Sequence, residues 1–163
     1  MEHEFYMRKA LALASEAAAE GEIPVGCVIV DAAGEIVGAG RNRREATRSV
    51  TGHAELAALE QASAARGDWR MDDCTAYVTL EPCPMCAGAF INARLGTLVY
   101  GAREPVSGCA VSVLNLFEER FPGHTAIYGG VLAEESEALL KAFFEKLRET
   151  ETPIEPKQLT VNS

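Results

Sequence analysis

The chain has 163 residues, of which 48% are hydrophobic and 24% are charged, so its length suits one globular domain with a sizeable buried core. Its 24 acidic and 15 basic residues give a net charge of -9, which argues against a protein that coats nucleic acid without specificity. No segment is long and apolar enough to span a membrane, and the N-terminus lacks the basic start and apolar run of a secretory signal. The sequence therefore predicts a cytoplasmic protein with no membrane partner.

The predicted elements alternate between helix and strand along the chain. Strands are expected at residues 25–30, 36–40, 75–80, 97–100 and 126–128. Helices are expected at residues 4–20, 53–65, 84–93 and 133–148, with a short helical piece at 113–119, and the long loops are expected at 41–52 and 101–110. This order favours a three-layer α/β/α domain over residues 1–150, and residues 151–163 are expected to form a frayed C-terminal tail.

The five cysteines of the chain are better explained as reduced thiols with some metal ligation than as disulfides, because a chain of this size needs no disulfide framework. Cys83 and Cys86 lie three residues apart across a predicted helix start, where unpaired N–H groups and the helix dipole favour thiolates. Pro82 ends the preceding strand, and Pro84 suits the first helical turn. Alone, this motif leaves open a metal site, a redox pair or two small core residues.

His53 and Glu55 lie at the start of the preceding predicted helix. At the open N-terminal end of a helix, both side chains can reach a metal that lies beyond it, so His53 can bind while Glu55 stays free. Together with the two cysteines, His53 completes three ligands, which is the number in a catalytic zinc site with one position left for water. A structural site would have a fourth protein ligand, but His3 in the N-terminal tail and His124 in a loop are better explained as surface residues.

The segments H-A-E at 53–55 and P-C-P-M-C at 82–86 resemble the signature of the cytidine and deoxycytidylate deaminase superfamily. Further matching segments are I-P-V-G-C-V-I-V at 23–30, Asn42, Y-V-T-L-E-P-C-P-M-C-A-G-A at 77–89, Y-G-A-R at 100–103, G-V-L at 130–132 and A-F-F at 142–144. Over residues 4–148 the chain is similar to the bacterial tRNA adenosine deaminase family. The resemblance implies a cytidine-deaminase-like fold with a central mixed sheet, one zinc ion per subunit and a homodimer. The implied reaction converts the wobble adenosine of a tRNA anticodon to inosine and releases ammonia.

The resemblance also implies roles for individual residues. Glu55 would take a proton from water, protonate the ring nitrogen of the base and deliver a proton to the departing ammonia. The implied substrate contacts are Asn42, Pro24 and Val25 beside the nucleoside, Ala54 and Pro82 at the base, Arg103 and Glu104 in the loop after the fourth strand, and Phe144 and Arg148 near flanking nucleotides. Ordinary turn and core roles remain the alternative for Asn42, Val25 and Phe144.

The predicted loop before His53 carries four arginines and a single acid, Glu45. We expect this basic loop to bind a tRNA anticodon stem-loop, that of an arginine tRNA, through residues that include Arg43 and Arg44. A merely solvated loop is the alternative. Val106 stands where the family usually has a lysine, and the C-terminal end is acidic, so these departures argue against tRNA binding rather than against deamination.

Three functions remain open from the sequence. The first is a tRNA adenosine deaminase, and the second is a deaminase of a free nucleobase or nucleoside of the guanine or cytosine type. The third is a zinc-stabilised binding module without catalysis, which would have no use for Glu55 or for an open coordination position.

Overall fold

The computed structural model describes residues 2–150. The strands are β1 (Gly26–Val30), β2 (Ile36–Arg41), β3 (Thr75–Leu80), β4 (Thr97–Ala102) and β5 (Ala126–Tyr128). The helices are α1 (Glu2–Ala19), α2 (Arg44–Thr47), α3 (Ala54–Arg66), α4 (Pro84–Asn92) and α5 (Ala133–Thr150), with a 3₁₀ turn at Leu116–Glu118. None of these helices has the length and apolar character needed to cross a bilayer. The expected tail at 151–163 lies outside the described residues, and the domain boundary at residue 150 stays a prediction.

The five strands form one mixed sheet in the order β2-β1-β3-β4-β5. β1 pairs antiparallel with both β2 and β3, whereas β3, β4 and β5 run parallel. α1 and α5 cover one face of the sheet, and α3 packs on the other face beside α4. This arrangement confirms the predicted three-layer fold.

The interior strand β1 is buried along its whole length, which explains its continuous apolar sequence. Successive side chains of a strand point to opposite faces, so Cys27 and Ile29 pack in the core under α3 and α4. Val28 and Val30 instead pack in the core under α1. The sheet is therefore held between two apolar cores, and the helix starts on the α3 side are placed against a rigid layer.

Two elements differ from the sequence prediction. The expected loop at 41–52 contains the short helix α2, which four residues cannot reveal by apolar periodicity and whose first-turn amides bond to the distant Glu22 carboxylate. The helical piece expected at 113–119 shrinks to the 3₁₀ turn. β4 and α5 each extend two residues beyond their expected ends, and the other boundaries agree within about two residues.

Candidate active site

Two helix starts converge to form a cluster of metal ligands. His53 is the N-cap residue of α3, and Cys83 is the N-cap residue of α4, so both side chains project from open helix ends. The His53 Nδ1 atom lies 3.8 Å from the Cys83 Sγ atom and 3.5 Å from the Cys86 Sγ atom. All three ligand atoms lie within 4.8 Å of one another. Among residues 2–150, no other group of three possible metal ligands comes this close together.

These distances fit zinc. Tetrahedral zinc with ordinary Zn–N and Zn–S bonds separates its nitrogen and sulfur ligands by about 3.6 Å. One imidazole and two thiols are also ligands of the softness that zinc prefers. The two nitrogen–sulfur distances thus allow these side chains to hold zinc, which would leave a fourth coordination position open.

The protonation states of the three side chains depend on one another. Hydrogen bonding with the Cys86 thiol and with the His53 ring lowers the pKa of Cys83 to about 4, so that Cys83 is a thiolate at neutral pH. The same contact with Cys83, together with burial, raises the pKa of Cys86. The hydrogen bond to Cys83 raises the pKa of His53. Metal binding would release the protons that this cluster holds.

Glu55 lies in the first turn of α3, and it is buried beside the ligand cluster without belonging to it. Burial raises the pKa of its carboxyl, although a hydrogen bond with Cys86 and the charge of His53 oppose this effect. The side chain is therefore held next to the metal position, where burial favours its protonated form.

A cavity of about 210 Å³ opens beside the cluster, and His53, Glu55 and Cys83 form part of its wall. Other predicted site residues on the wall are Val25, Asn42, Arg44, Ala54, Glu104 and Phe144. The cavity is smaller than the roughly 300–1,000 Å³ of pockets for drug-sized ligands, so it suits one heterocyclic base with the rest of a larger substrate outside.

The remaining predicted substrate contacts do not form part of the cavity wall. Pro24 and Pro82 are buried in the adjoining chain turns, while Arg43, Arg103 and Arg148 are exposed at the surface. Their roles stay predictions.

The structure adds five wall residues that the sequence analysis missed, namely Ile23, Leu80, Glu81, Ser107 and Leu140. Glu81 carried a usable signal, because an acidic residue at the end of an apolar strand must find partners when it is buried. Burial by itself raises the pKa of this carboxyl, but hydrogen bonds from Ser112, Val111 and Glu104 outweigh that effect and lower it.

Asn42 joins the two chain segments that flank the cavity. Its Nδ2 group donates to the Ile23 carbonyl at 3.1 Å, and its Oδ1 atom accepts from the Arg44 amide at 3.1 Å. An amide side chain has further donor and acceptor capacity, so Asn42 can still bond to a ligand.

The arginines of the basic loop differ in their contacts. Arg41 forms ion pairs with Glu20, directly after α1, at 2.8 Å and with Glu16 on α1 at 3.9 Å. Within the described part of the chain, neither Arg43 nor Arg44 forms an ion pair, and both are exposed. Among the described residues Arg48 is likewise exposed and outside any ion pair, so Arg43, Arg44 and Arg48 are the arginines of this loop that are available to a bound anion.

Zinc-dependent hydrolytic deaminases are the class of enzyme to which this arrangement belongs, because they combine one histidine and two cysteine ligands with a glutamate that does not bind the metal. The sequence family described as the cytidine and deoxycytidylate deaminase zinc-binding region matches residues 1–102 of this chain. This range includes all three metal ligands. The chain belongs to this family, and zinc is its metal.

Individual relatives agree with this assignment. The tRNA-specific adenosine deaminase of Bacillus subtilis (strain 168) is 44% identical over 146 residues, which cover 89% of this chain and 90% of that protein. A solved structure from a study of A-to-I editing by tRNA:A34 deaminases superposes with a TM-score of 0.80 at 36% identity, covering 83% of this chain and 99% of that one. The guanine deaminase structure from Bacillus subtilis gives a TM-score of 0.60 at 27% identity, covering 95% of this chain and 99% of that one.

Proposed function

We propose that this zinc deaminase converts the wobble adenosine of a tRNA anticodon to inosine and releases ammonia. The observation that carries the proposal is the base-sized cavity beside His53, Cys83, Cys86 and Glu55, in a chain 44% identical to a tRNA-specific adenosine deaminase. We further propose that the enzyme is a cytoplasmic homodimer with one zinc ion per subunit. The free state of the five cysteines supports a reducing compartment.

The ligand cluster and Glu55 divide the chemistry between them. His53, Cys83 and Cys86 would hold the zinc, which when bound supplies Lewis acidity to the attacking water. Glu55 takes a proton from that water and passes it to the ring nitrogen N1 as the oxygen attacks C6 of the adenine. It then carries the remaining proton of that oxygen to the amino group, so the C6–N6 bond breaks, ammonia leaves and the oxygen stays on C6 as a carbonyl. Adenosine and water thus give inosine and ammonia.

The other wall residues would hold the base. Val25 and Phe144 offer apolar surface to a flat ring, and Ala54 lies at the start of α3 beside the reacting position. Asn42 would form hydrogen bonds with the nucleoside, because its two loop contacts use only part of the donor and acceptor capacity of its amide. Because the cavity suits one base, the substrate's sugar and phosphates would lie outside, toward Arg44 on the rim and the exposed Arg43.

The net charge of -9 does not oppose this mode of binding. Electrostatic interactions at physiological salt are screened beyond about 8 Å, so acidic residues far from the rim have little effect on a phosphate bound there. Val106 is 86% exposed in the place where the family usually has a lysine, so the loop after β4 supplies no cation at that position. The arginine loop would therefore carry most of the phosphate contacts.

A free-base deaminase is the second candidate, and the observation that favours it is the likeness to guanine deaminase. That likeness is weaker in sequence than the likeness to the tRNA:A34 deaminase, at 27% against 36% identity. The tRNA substrate is therefore the better supported of the two.

The deciding experiment presents both kinds of substrate to the zinc-loaded protein. One set of reactions contains an arginine tRNA anticodon stem-loop with adenosine at the wobble position, and a stem-loop with guanosine there is its control. Parallel reactions contain adenine, adenosine, guanine and cytosine. We expect inosine and ammonia from the adenosine stem-loop only. Ammonia from a free base, with no inosine in any stem-loop, would establish the second candidate instead.

A further inference from the structure

Glu81 is buried and lies directly after β3, two residues before the metal ligand Cys83. Its carboxylate accepts hydrogen bonds from one contiguous loop. The backbone donors are the amides of Glu104 at 3.1 Å, Ala110 at 3.0 Å, Val111 at 2.8 Å and Ser112 at 2.9 Å, and the Ser112 hydroxyl is a fifth donor. One buried carboxylate therefore collects five donors from a single segment.

The segment, residues 104–112, contains no helix or strand, so its amides cannot bond within a ladder. Glu81 supplies that missing partner for four of them. Gly108 lies against the same carboxylate, since a Cβ atom at position 108 would stand 2.4 Å from the Glu81 Cδ atom and 2.5 Å from the Glu104 carbonyl oxygen. The loop is therefore fitted closely around Glu81.

This loop is also a wall of the proposed substrate cavity. Glu104 and Ser107 line the cavity together with residues from the start of α3, and Glu81 itself reaches the wall. A second link joins the loop to the metal motif, because the Cys109 amide donates to the Pro82 carbonyl at 2.8 Å. The strand end that leads into the metal ligands and the loop that closes the cavity are thus held by the same two residues, Glu81 and Pro82.

We propose that Glu81 is a positioning residue of this deaminase. Its carboxylate fixes residues 104–112 at a set distance from the metal centre, so that Glu104 and Ser107 meet the bound substrate. Glu81 acts through the loop and needs no contact with the reacting atoms. The inference rests on the proposed function for the choice of substrate, whereas the order of the loop can be measured without any substrate.

Glu81→Gln is the informative substitution, because it preserves shape and replaces one acceptor oxygen with an NH₂ donor. Whichever way the amide turns, backbone N–H groups of the loop face that donor. Gly108→Ala disrupts the contact between the loop and the Glu81 carboxylate from the loop side. It serves as a second variant if Glu81→Gln fails to fold. Ser112→Ala removes the hydroxyl but keeps all four backbone donors, and Glu118→Gln removes an exposed acid next to the loop.

The experiment combines hydrogen exchange with kinetics scaled to zinc content. In Glu81→Gln we expect amides 104–112 to exchange at least about tenfold faster, while α3 exchanges as in the parent and zinc stays bound. We expect kcat/KM for the stem-loop to fall about 10- to 100-fold per zinc-loaded chain, since a misplacement of about 1 Å has an effect of that order. Gly108→Ala should behave alike, and the control Glu118→Gln should stay near the parent. Ser112→Ala loses one of the five donors and should fall between the parent and Glu81→Gln.

Two results would overturn the proposal. One is an unchanged exchange rate at 104–112 in both Glu81→Gln and Gly108→Ala. The other is faster exchange of the loop with kcat/KM per zinc-loaded chain unchanged, which would make Glu81 a residue of stability only. If the parent protein deaminates no stem-loop, the proposed tRNA function fails, and the same comparison is made with the base that it does deaminate.

Discussion

The carbonyl oxygen of Ala54 lies so close to Gly40 that a Cβ atom at position 40 would stand 2.4 Å from it. Gly40 belongs to β2, and Ala54 is the first residue of α3, which follows the N-cap His53. The helix that carries His53 and Glu55 therefore rests directly on the backbone of the strand. Glycine is required there because any side chain would push the helix start outward.

Gly40→Ala should consequently weaken both the fold and the metal site. We expect the free energy of unfolding to fall by roughly 1–3 kcal/mol, as for other overpacked cores, and zinc affinity to fall with it. Gly88→Ala is the matched control, since a Cβ atom on this α4 glycine meets nothing within 4 Å and alanine favours a helix by about 0.5–1 kcal/mol. Denaturant unfolding and zinc titration measure the two effects. Parent-like values of both for Gly40→Ala would refute this relationship.

Cys86→Ala should abolish stable zinc binding. Two remaining ligands leave zinc short of the three protein ligands of a catalytic site, and Cys86 is fully buried beside His53. Metal analysis after dialysis should give one zinc per chain for the parent and close to none for the variant. Cys74→Ala tests whether loss of any buried cysteine has this effect, because Cys74 bonds to Asp73 far from the cluster. Full zinc and activity in Cys86→Ala would contradict the ligand assignment.

Glu55→Gln should separate metal binding from turnover. The side chain keeps its size and is not a ligand, so zinc content should remain at the level of the parent. Loss of a proton carrier should lower kcat about 10²- to 10⁴-fold. Glu4→Gln, an exposed acid on α1 in the opposite layer, should leave kcat unchanged. Loss of zinc from Glu55→Gln would make Glu55 a ligand, and a parent-like kcat would remove its catalytic role.

The sequence allowed prediction of those parts of the molecule that depend on local pattern. β3 could be predicted at its true bounds because an apolar, β-branched run ends at Glu81 and Pro82. The metal ligands could be predicted because each lies at a helix start that has its own sequence signal. The family resemblance supplied the mixed sheet and the substrate class, which no local pattern contains.

The parts that were missed depend on contacts between distant segments. α2 is stabilised through Glu22, whose carboxylate accepts from the amides of Glu45 and Ala46, 23 and 24 residues later in the chain. The bonds of Glu81 reach as far as Ser112, 31 residues away. Leu140 joins the cavity only because α5 folds back over the sheet. No periodicity in a single segment encodes such partners.

Replacing both Arg43 and Arg44 with alanine should weaken stem-loop binding and flatten its salt dependence. Each phosphate contact to single-stranded nucleic acid contributes about 0.7 to the slope of log K against log salt, so the double variant should lose up to about 1.4. Zinc content should not change, since both side chains are exposed outside the ligand cluster. Replacing both Arg8 and Lys9 with alanine, on the exposed side of α1, removes the same two charges and is the control for total charge. Equal salt slopes for parent and double variant would show that this loop does not bind phosphates.

The proposed homodimer has a suitable surface beside the active site. An open groove of about 830 Å³ lies between α3 and α4, with Leu56, Leu59, Ala89 and Trp69 among its walls. Trp69 is 49% exposed, and the Arg70 guanidinium lies 4.6 Å from its ring centroid. An amphipathic aromatic ring next to an apolar groove is typical of the central residues of a protein interface. We expect a second copy of the chain to cover this groove.

Trp69→Glu should therefore convert the dimer to a monomer. A buried aromatic residue at an interface centre contributes roughly 2 kcal/mol, so the dissociation constant should rise about 30-fold or more, and a buried carboxylate adds to that cost. Phe5→Glu is the matched control, because Phe5 is an exposed aromatic residue on α1, in the opposite layer of the fold. Sedimentation equilibrium over a range of protein concentrations measures both constants. A parent protein that sediments as a monomer at every concentration would exclude the homodimer, and a Trp69→Glu variant that dimerises like the parent would move the interface to another surface.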